Sequence, residues 1–415
     1  EVAALYHDET ETPVNPDIFT DEDYVDHYLN HDDPGAQYLI KKLQDLTGRK
    51  LKLLEDVPEI MVMEEMPETR KTFVLDRGQY NAPTDEVTPG TPEKVLPFRD
   101  EWPRNRLGLA HWLVDQQNPL TARVAVNRYW QMIFGRGIVD TPEDFGTQGA
   151  LPSHPELLDW LAVYFMESGW NVRDLLRTMV TSNTYRQTSA TTKDHWEKDP
   201  GNIYLARGAS DRLPAEMIRD NALKASGLLI QKVGGPSVKP YQPEGIWMKP
   251  SESDYKQDSG ESLYRRSLYT YIRRSTPHPA MLAFDAPSRS VCVVKREKTN
   301  TPLQALVLLN DPQFVESARV LAQRMQFEGG ESVESQVRYG FRLLCGRSPD
   351  SNEIRLLKKQ YEIALDKYKS DPVAADEILC LGAYPFDYRL DRFQTAALTM
   401  VASTVMNFDG AYMKR

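Results

Sequence analysis

From residue 104 onward, the starts and stops of successive helices are written into the chain, and that punctuation leaves room for little except a mainly α fold. Asn118-Pro119 supplies an N-cap and a proline in the first turn, ahead of an apolar run at 121–134 that stops at Gly135. Ser153-His154-Pro155-Glu156 reads as a capping box. It opens a helix with Leu157, Trp160, Leu161, Tyr164 and Phe165 on one stripe, closed by Gly169. Asn171 with Asp174 begins the next helix, and 214–230 is a fourth amphipathic segment. Thr301-Pro302-Leu303-Gln304 reads as a second capping box. Asp311-Pro312 starts a helix carrying Phe314, Val315, Ala318, Leu321, Ala322 and Met325. Helical patterns near 333–345, 352–368 and 392–406 complete the reading: a multi-helix globular domain with a small β-hairpin and long ordered loops. No internal repeat of 20 to 50 residues is present.

The amino-terminal quarter is different. Residues 1–36 contain eleven acidic residues and no lysine or arginine, which predicts an acidic, poorly structured arm and accounts for much of the net charge of −10. Residues 37–103 read as a helix (37–54), two short strands at 59–64 and 71–76 forming a hairpin, and a Pro/Gly-rich strap from 77 to 103. Residues 104–415 form the main helical domain, with a basic loop and strand block at 254–300. No apolar run has the length that a membrane span needs. Glu1, without an initiator Met or a basic-then-apolar leader, is what a processed or internal start looks like. An acidic chain is a poor neutraliser of phosphates, so nucleic acid is not an expected partner. Cys292, Cys345 and Cys380 fit no zinc or haem-attachment spacing; buried free thiols are expected, and one disulfide is compatible with the count.

Two constellations could carry chemistry. On the apolar helix 121–134, Arg123, Asn127 and Gln131 recur at i, i+4 and i+8, and polar groups on a buried face must find partners or line a cavity. One reading is a hydrogen-bond network to the loop 135–149; the other is a pocket wall that includes Arg128, with Glu143 and Asp144 nearby. Arg123 and Asn127 are expected to be largely buried and bonded to 284–300 or to 141–149, with Asp285 and Asp144 as acceptors. The second constellation is the basic block. Arg265 and Arg266 precede Arg273 and Arg274 by eight residues, with Tyr269 and Tyr271 between them, a period that predicts a strand with tyrosines on one face. Arg289, Arg296 and Asn300 follow. Such arginines suit an anionic ligand or pairing with acids such as Asp254, Asp258, Glu261 and Asp285. Catalytic candidates are Asp144, His154 and Asp285; His154 also reads as a turn residue, and His111, His195 and His278 are isolated. The standard hydrolase, kinase, dehydrogenase and zinc-protease motifs are missing, the aspartates at 21, 23 and 26 lack the glycine turn of a calcium loop, and no metal site is expected.

Six runs in order carry a family resemblance: Asn105-Arg106-Leu107-Gly108-Leu109-Ala110, the stretch from Asn118-Pro119-Leu120-Thr121 to Asn127-Arg128, Thr141-Pro142-Glu143-Asp144-Phe145-Gly146, Ser153-His154-Pro155-Glu156 with its following helix, Phe284-Asp285-Ala286-Pro287-Ser288-Arg289, and Thr299-Asn300-Thr301-Pro302-Leu303-Gln304. They resemble the uncharacterised planctomycete surface domain that ends large secreted, cytochrome c-associated proteins. The resemblance implies export to the periplasm or cell surface and a haem c on a partner module or chain, with no cofactor in this one. It is compatible with a scaffold or binding subunit working in redox or polysaccharide metabolism. An alternative is a hydrolase acting on an anionic, sulfated or carboxylated glycan; another is a non-catalytic surface interaction module.

Overall fold

The computed structural model describes residues 20–55, 57, 60–68, 70–243, 246 and 255–414, and the chain divides into two compact units, 1–89 and 90–415. In the first unit, α1 (Asp21–His31) occupies part of the segment expected to be a poorly structured arm. The reason is local: the Thr20 hydroxyl accepts from the Asp23 backbone while the Asp23 carboxylate accepts from the Thr20 backbone, and three acids sit at the positive end of the helix. Helix α2 (Pro34–Glu55) covers the expected 37–54. The hairpin exists with a different partner. Strand β1 (Thr72–Leu75) pairs antiparallel with β2 (Pro83–Val87), Thr72 opposite Val87 and Leu75 opposite Pro83, whereas 60–66 is in no strand. The chain turns back immediately after β1 at Asp76–Gly78, with Arg77 at φ 47° and Gly78 at φ 75°, so the nearer downstream segment takes the edge.

The second unit holds α3 (Arg106–Val114), α4 (Thr121–Phe134), α5 (Pro155–Glu167), α6 (Val172–Thr181), α7 (Lys193–Lys198), α8 (Ala215–Ser226), α9 (Pro279–Ala283), α10 (Pro302–Asn310), α11 (Pro312–Glu328), α12 (Val333–Cys345), α13 (Ser351–Ser370), α14 (Pro372–Cys380), α15 (Arg392–Met406) and α16 (Asp409–Tyr412). The mainly α expectation holds. Two of the three clusters of buried apolar side chains hold most of these helices. In the larger, α11 packs on α8, α12 and α15, and α13 closes over α15, burying among others Phe314, Leu321, Phe341, Leu357, Tyr361 and Leu398. In the smaller, α4, α5 and α6 enclose Val126, Trp130, Leu161, Phe165, Leu175 and Met179. On α5 the buried stripe is Leu158, Leu161, Ala162 and Phe165. Trp160 stands out at the surface and stacks on Tyr164 instead.

A two-residue ladder, β3 (Asp211–Arg212) with β4 (Met413–Lys414), brings the last described residues back beside α8. From there the Lys414 ammonium reaches the Met132 carbonyl at 2.7 Å in the last turn of α4, which ties the smaller core to the larger one. Gly135, at φ 82°, ends α4 in the left-handed conformation that turns the chain into the loop 135–149.

Candidate functional site

The polar stripe of α4 meets different partners from those expected. Asn127 is fully buried, and its amide makes a reciprocal pair with Val139, donating to the carbonyl and accepting from the N–H, both at 2.9 Å. That is the hydrogen-bond network to the loop 135–149. Arg123 lies at the other end: about a third exposed, its Nε donates to Asp159 at 2.6 Å and its Nη1 to the Pro119 carbonyl at 2.7 Å. Neither Asp144 nor Asp285 is its acceptor, and it does not bond to 284–300, because Asp159 on α5 faces it directly. Arg128 is exposed. Asp144 folds its own loop, accepting from the Gly146 N–H at 2.7 Å, while the Thr141 hydroxyl donates to the Asp144 carbonyl. His154 is the N-cap of α5 without a side-chain cap, and its Nδ1 lies 3.0 Å from the Ser153 hydroxyl. The expected capping box does not form, since the Ser153 hydroxyl faces the Ile138 carbonyl.

The basic block is not a strand. Residues 260–264 and 267–269 are short 3-10 turns, and the segment meets neighbouring backbone only at two isolated bridges among the described residues, Arg265 with Ile230 and Thr270 with Val238. Arg265 is buried and donates to the carbonyls of Lys232, Gly234 and Pro236, with its guanidinium 3.8 Å from the Tyr269 ring centroid. Arg266 is half exposed, 3.9 Å from Asp220. Further along, the ion pairs are Lys295–Asp140, Arg296–Glu216 and Lys298–Asp211. The Arg296 pair is bidentate, at 2.8 and 3.1 Å. Burial works to raise the Glu216 pKa, but the Arg296 hydrogen bonds, the backbone, and the Arg296 and Arg289 charges outweigh it and hold this carboxyl below its ordinary range. Asp285, at φ 60°, is bonded by Arg212 and by the Thr299 N–H and hydroxyl. Arg289, at φ 63°, and Asn300 are exposed. The block therefore contains intramolecular pairs, but with Asp140, Asp211, Glu216 and Asp220 as acids. Of those expected, Asp285 pairs with Arg212, Asp258 accepts from the Lys239 N–H, and Asp254 lies outside the described residues.

A further group of buried polar and charged side chains lies on α8 and α11. Arg219, 4% exposed, donates to Gln313, to the Ser267 hydroxyl and to the carbonyls of Leu263 and Arg265. Burial pulls its pKa down to about 10, against the opposing charges of Asp220, Asp311 and Tyr255. Glu316 and Arg319 are fully buried on α11. Glu316 accepts from the Tyr264 hydroxyl at 2.9 Å and the Tyr384 N–H at 2.7 Å; Arg319 donates to the carbonyls of Leu381 and Tyr384. Gln323, one turn on, accepts from the Asp387 N–H at 2.7 Å. Among the described residues Glu316 Oε2, Arg319 Nη1 and Gln323 Nε2 are buried without a hydrogen-bond partner. Sequence reasoning missed these side chains although the signal was there: Gln313, Glu316, Arg319 and Gln323 recur at helical spacing inside an apolar helix, the same pattern that drew attention to Asn127. Beyond Gln323 the chain 384–389 and the end of α11 enclose an open groove of about 780 Å³.

No disulfide joins the three cysteines among the described residues, and the expected burial does not hold: Cys292 and Cys380 are exposed and Cys345 is half-buried. Among the described residues no group of three or more His, Cys, Asp or Glu side chains is placed to hold a metal ion, and no helix is long and apolar enough to cross a membrane.

This arrangement, a helical body laced by internal ion pairs around one charged central helix, defines the class. The profile of the family described as PSD1, protein of unknown function (DUF1553), matches residues 105–361, and the chain belongs to that family. No curated protein and no solved structure matches it.

Proposed function

We propose that the chain is a helical scaffold or binding subunit of an exported assembly at the periplasm or cell surface of a planctomycete, working beside a module or chain that carries haem c. The observation that supports a scaffold is the internal use of the basic block: Arg265, Arg296 and Lys298 each hold two distant parts of the same chain together. Arginines fixed in this way lend rigidity to a surface. They leave less charge for an anionic polysaccharide. The cytochrome link rests on the resemblance carried by the six ordered sequence runs.

The reading as a hydrolase of a sulfated or carboxylated glycan draws less from the geometry. Asp285 accepts from Arg212 and Thr299, and Asp144 from its own turn, so each carboxylate has a structural task. The test is to tag this chain in its native source, purify it under mild conditions and record the visible spectrum. A Soret band co-eluting with the chain in fixed ratio supports the assembly; a haem-free complex removes the cytochrome part and leaves the interaction-module reading.

A further inference from the structure

The groove beside α11 has a composition that the assembly reading does not use. One wall is the last two turns of α11, with Gln323, Arg324, Phe327 and Glu328; the other is the chain 384–389, which lies outside the region matched by the family profile. That second wall carries Tyr384, Phe386 and Tyr388 at alternate positions. Tyr388 is 90% exposed, Phe327 51% and Tyr384 45%, and Phe386 meets Tyr388 edge to face at 5.2 Å. Four aromatic rings around one concavity form a contiguous patch, and such a patch on a folded surface marks a contact site.

The charges beside the rings cancel. Arg324 Nε donates to Glu328 at 2.9 Å, and Arg389 bonds both oxygens of Asp387. The Arg389 hydrogen bonds hold the Asp387 carboxyl down to about 2, so this pair stays ionised across the working range. With two cations and two anions the groove offers no net charge to a phosphate or sulfate, yet it presents planar donors and acceptors fixed by each other. Its second wall is also held in place: the N–H groups of Tyr384 and Asp387 bond to Glu316 and Gln323, two buried side chains of α11. A preformed concavity loses little freedom on binding. Its volume of about 780 Å³ falls in the range of small-molecule sites.

We infer that this groove binds an uncharged saccharide, the rings stacking on the sugar's C–H faces and the paired Arg–carboxylate groups addressing its hydroxyls. Sugars present both an apolar face and a dense rim of donors and acceptors, which is the combination found here. Aromatic-lined grooves also take up proline-rich peptides, so such a peptide is the contrast that separates the two occupants.

The test uses the intact chain and isothermal titration calorimetry with uncharged cello-, xylo- and manno-oligosaccharides, and with dextran sulfate and a proline-rich peptide as contrasts. At least one uncharged oligosaccharide is expected to bind saturably, with an affinity unmoved by salt at roughly 0.5 M, because no net charge is being neutralised. Tyr388→Ala is expected to weaken binding on the order of tenfold and Tyr388→Phe to leave it nearly unchanged, since the stacking face survives. Both variants should melt with the parent chain, because Tyr388 is exposed. The inference is overturned by binding to none of the uncharged sugars, by binding only to dextran sulfate or to the peptide, or by sugar binding that Tyr388→Ala and Phe327→Ala leave intact. Saccharide binding and Soret co-elution report on different things, so either proposal can fail alone.

Discussion

Asn127 shows how much one buried amide can fix. It supplies both the donor and the acceptor that Val139 needs, at a point where the loop 135–149 has no secondary structure of its own. Asn127→Ala removes both partners and leaves a buried N–H and a buried carbonyl unsatisfied, which should cost about 2–4 kcal/mol in urea unfolding. A variant as stable as the parent would show that the loop is held elsewhere. A second residue-scale prediction concerns pH. His278 is buried, its Nε2 lies 2.7 Å from the Tyr241 carbonyl, and burial lowers its pKa from the ordinary 6.5, opposed by that carbonyl and assisted by the Arg219 charge. Below pH 6.5 the unfolded chain takes up a proton that the folded one refuses, so stability is full above that value and falls as pH drops toward the depressed pKa. Glu216, with its pKa lowered, acts in a more acidic window: its contribution is present above 4.5 and is lost as pH falls below it. His278→Gln should flatten the upper part of the melting-temperature profile and leave the acidic limb in place; a mutant profile that still falls from pH 6.5 would assign that limb to another group. Asn127 was legible in the sequence because a polar residue on an apolar helix must find partners. The partner was not, since nothing local in Val139 announces it.

At the scale of elements, helix existence was read well and helix ends less so. Ser153 and Gln304 sit where capping boxes should form, yet Ser153 faces the Ile138 carbonyl and Gln304 donates to Ala283 and Thr299. A cap is a local option, and a tertiary acceptor within reach displaces it. At Asp350 and Glu353 the box forms in full, the Glu353 carboxylate having room to accept from Arg347 as well. The tyrosine and arginine alternation at 264–274 failed as a strand for a related reason: the Ser267 N–H is taken by Asp220, and Arg219 occupies the carbonyls of 263 and 265. Glycines give a sharper test of how α11 meets its surroundings. Gly382 has φ 88°, and a Cβ there would run into the Glu316 carboxylate; Gly346 has φ 69° with open space around it. Gly346→Ala should cost about 1–2 kcal/mol, the penalty of a left-handed residue alone. Gly382→Ala should cost about 2–4 kcal/mol, because it adds a clash with a buried charge. Equal losses in chemical denaturation would mean that Glu316 can give way.

For the whole molecule, the three clusters of buried apolar side chains all fall between Ala122's helix and Ala411, inside the unit 90–415. Elements α1 and α2 bury no residue. A polypeptide of residues 90–415 should therefore keep helical circular dichroism and a cooperative melt, whereas a molten or aggregated product would show that the first unit is needed for folding. The division at 89 and 90 was not visible in the sequence, where Pro and Gly mark the strap as a whole but give no sign of which half belongs to which core. The central position of α11 has one more effect. A helix with a uniformly apolar surface can settle into a core at several rotations about its axis, with similar burial each time. With Glu316, Arg319 and Gln323 on its inner face, α11 finds acceptors and donors for all three at a single rotation, and turning it by even one residue's worth of arc would strand two charges in hydrocarbon. The buried charges thus work as a key cut for one lock, trading some stability for a helix that cannot be mounted the wrong way round.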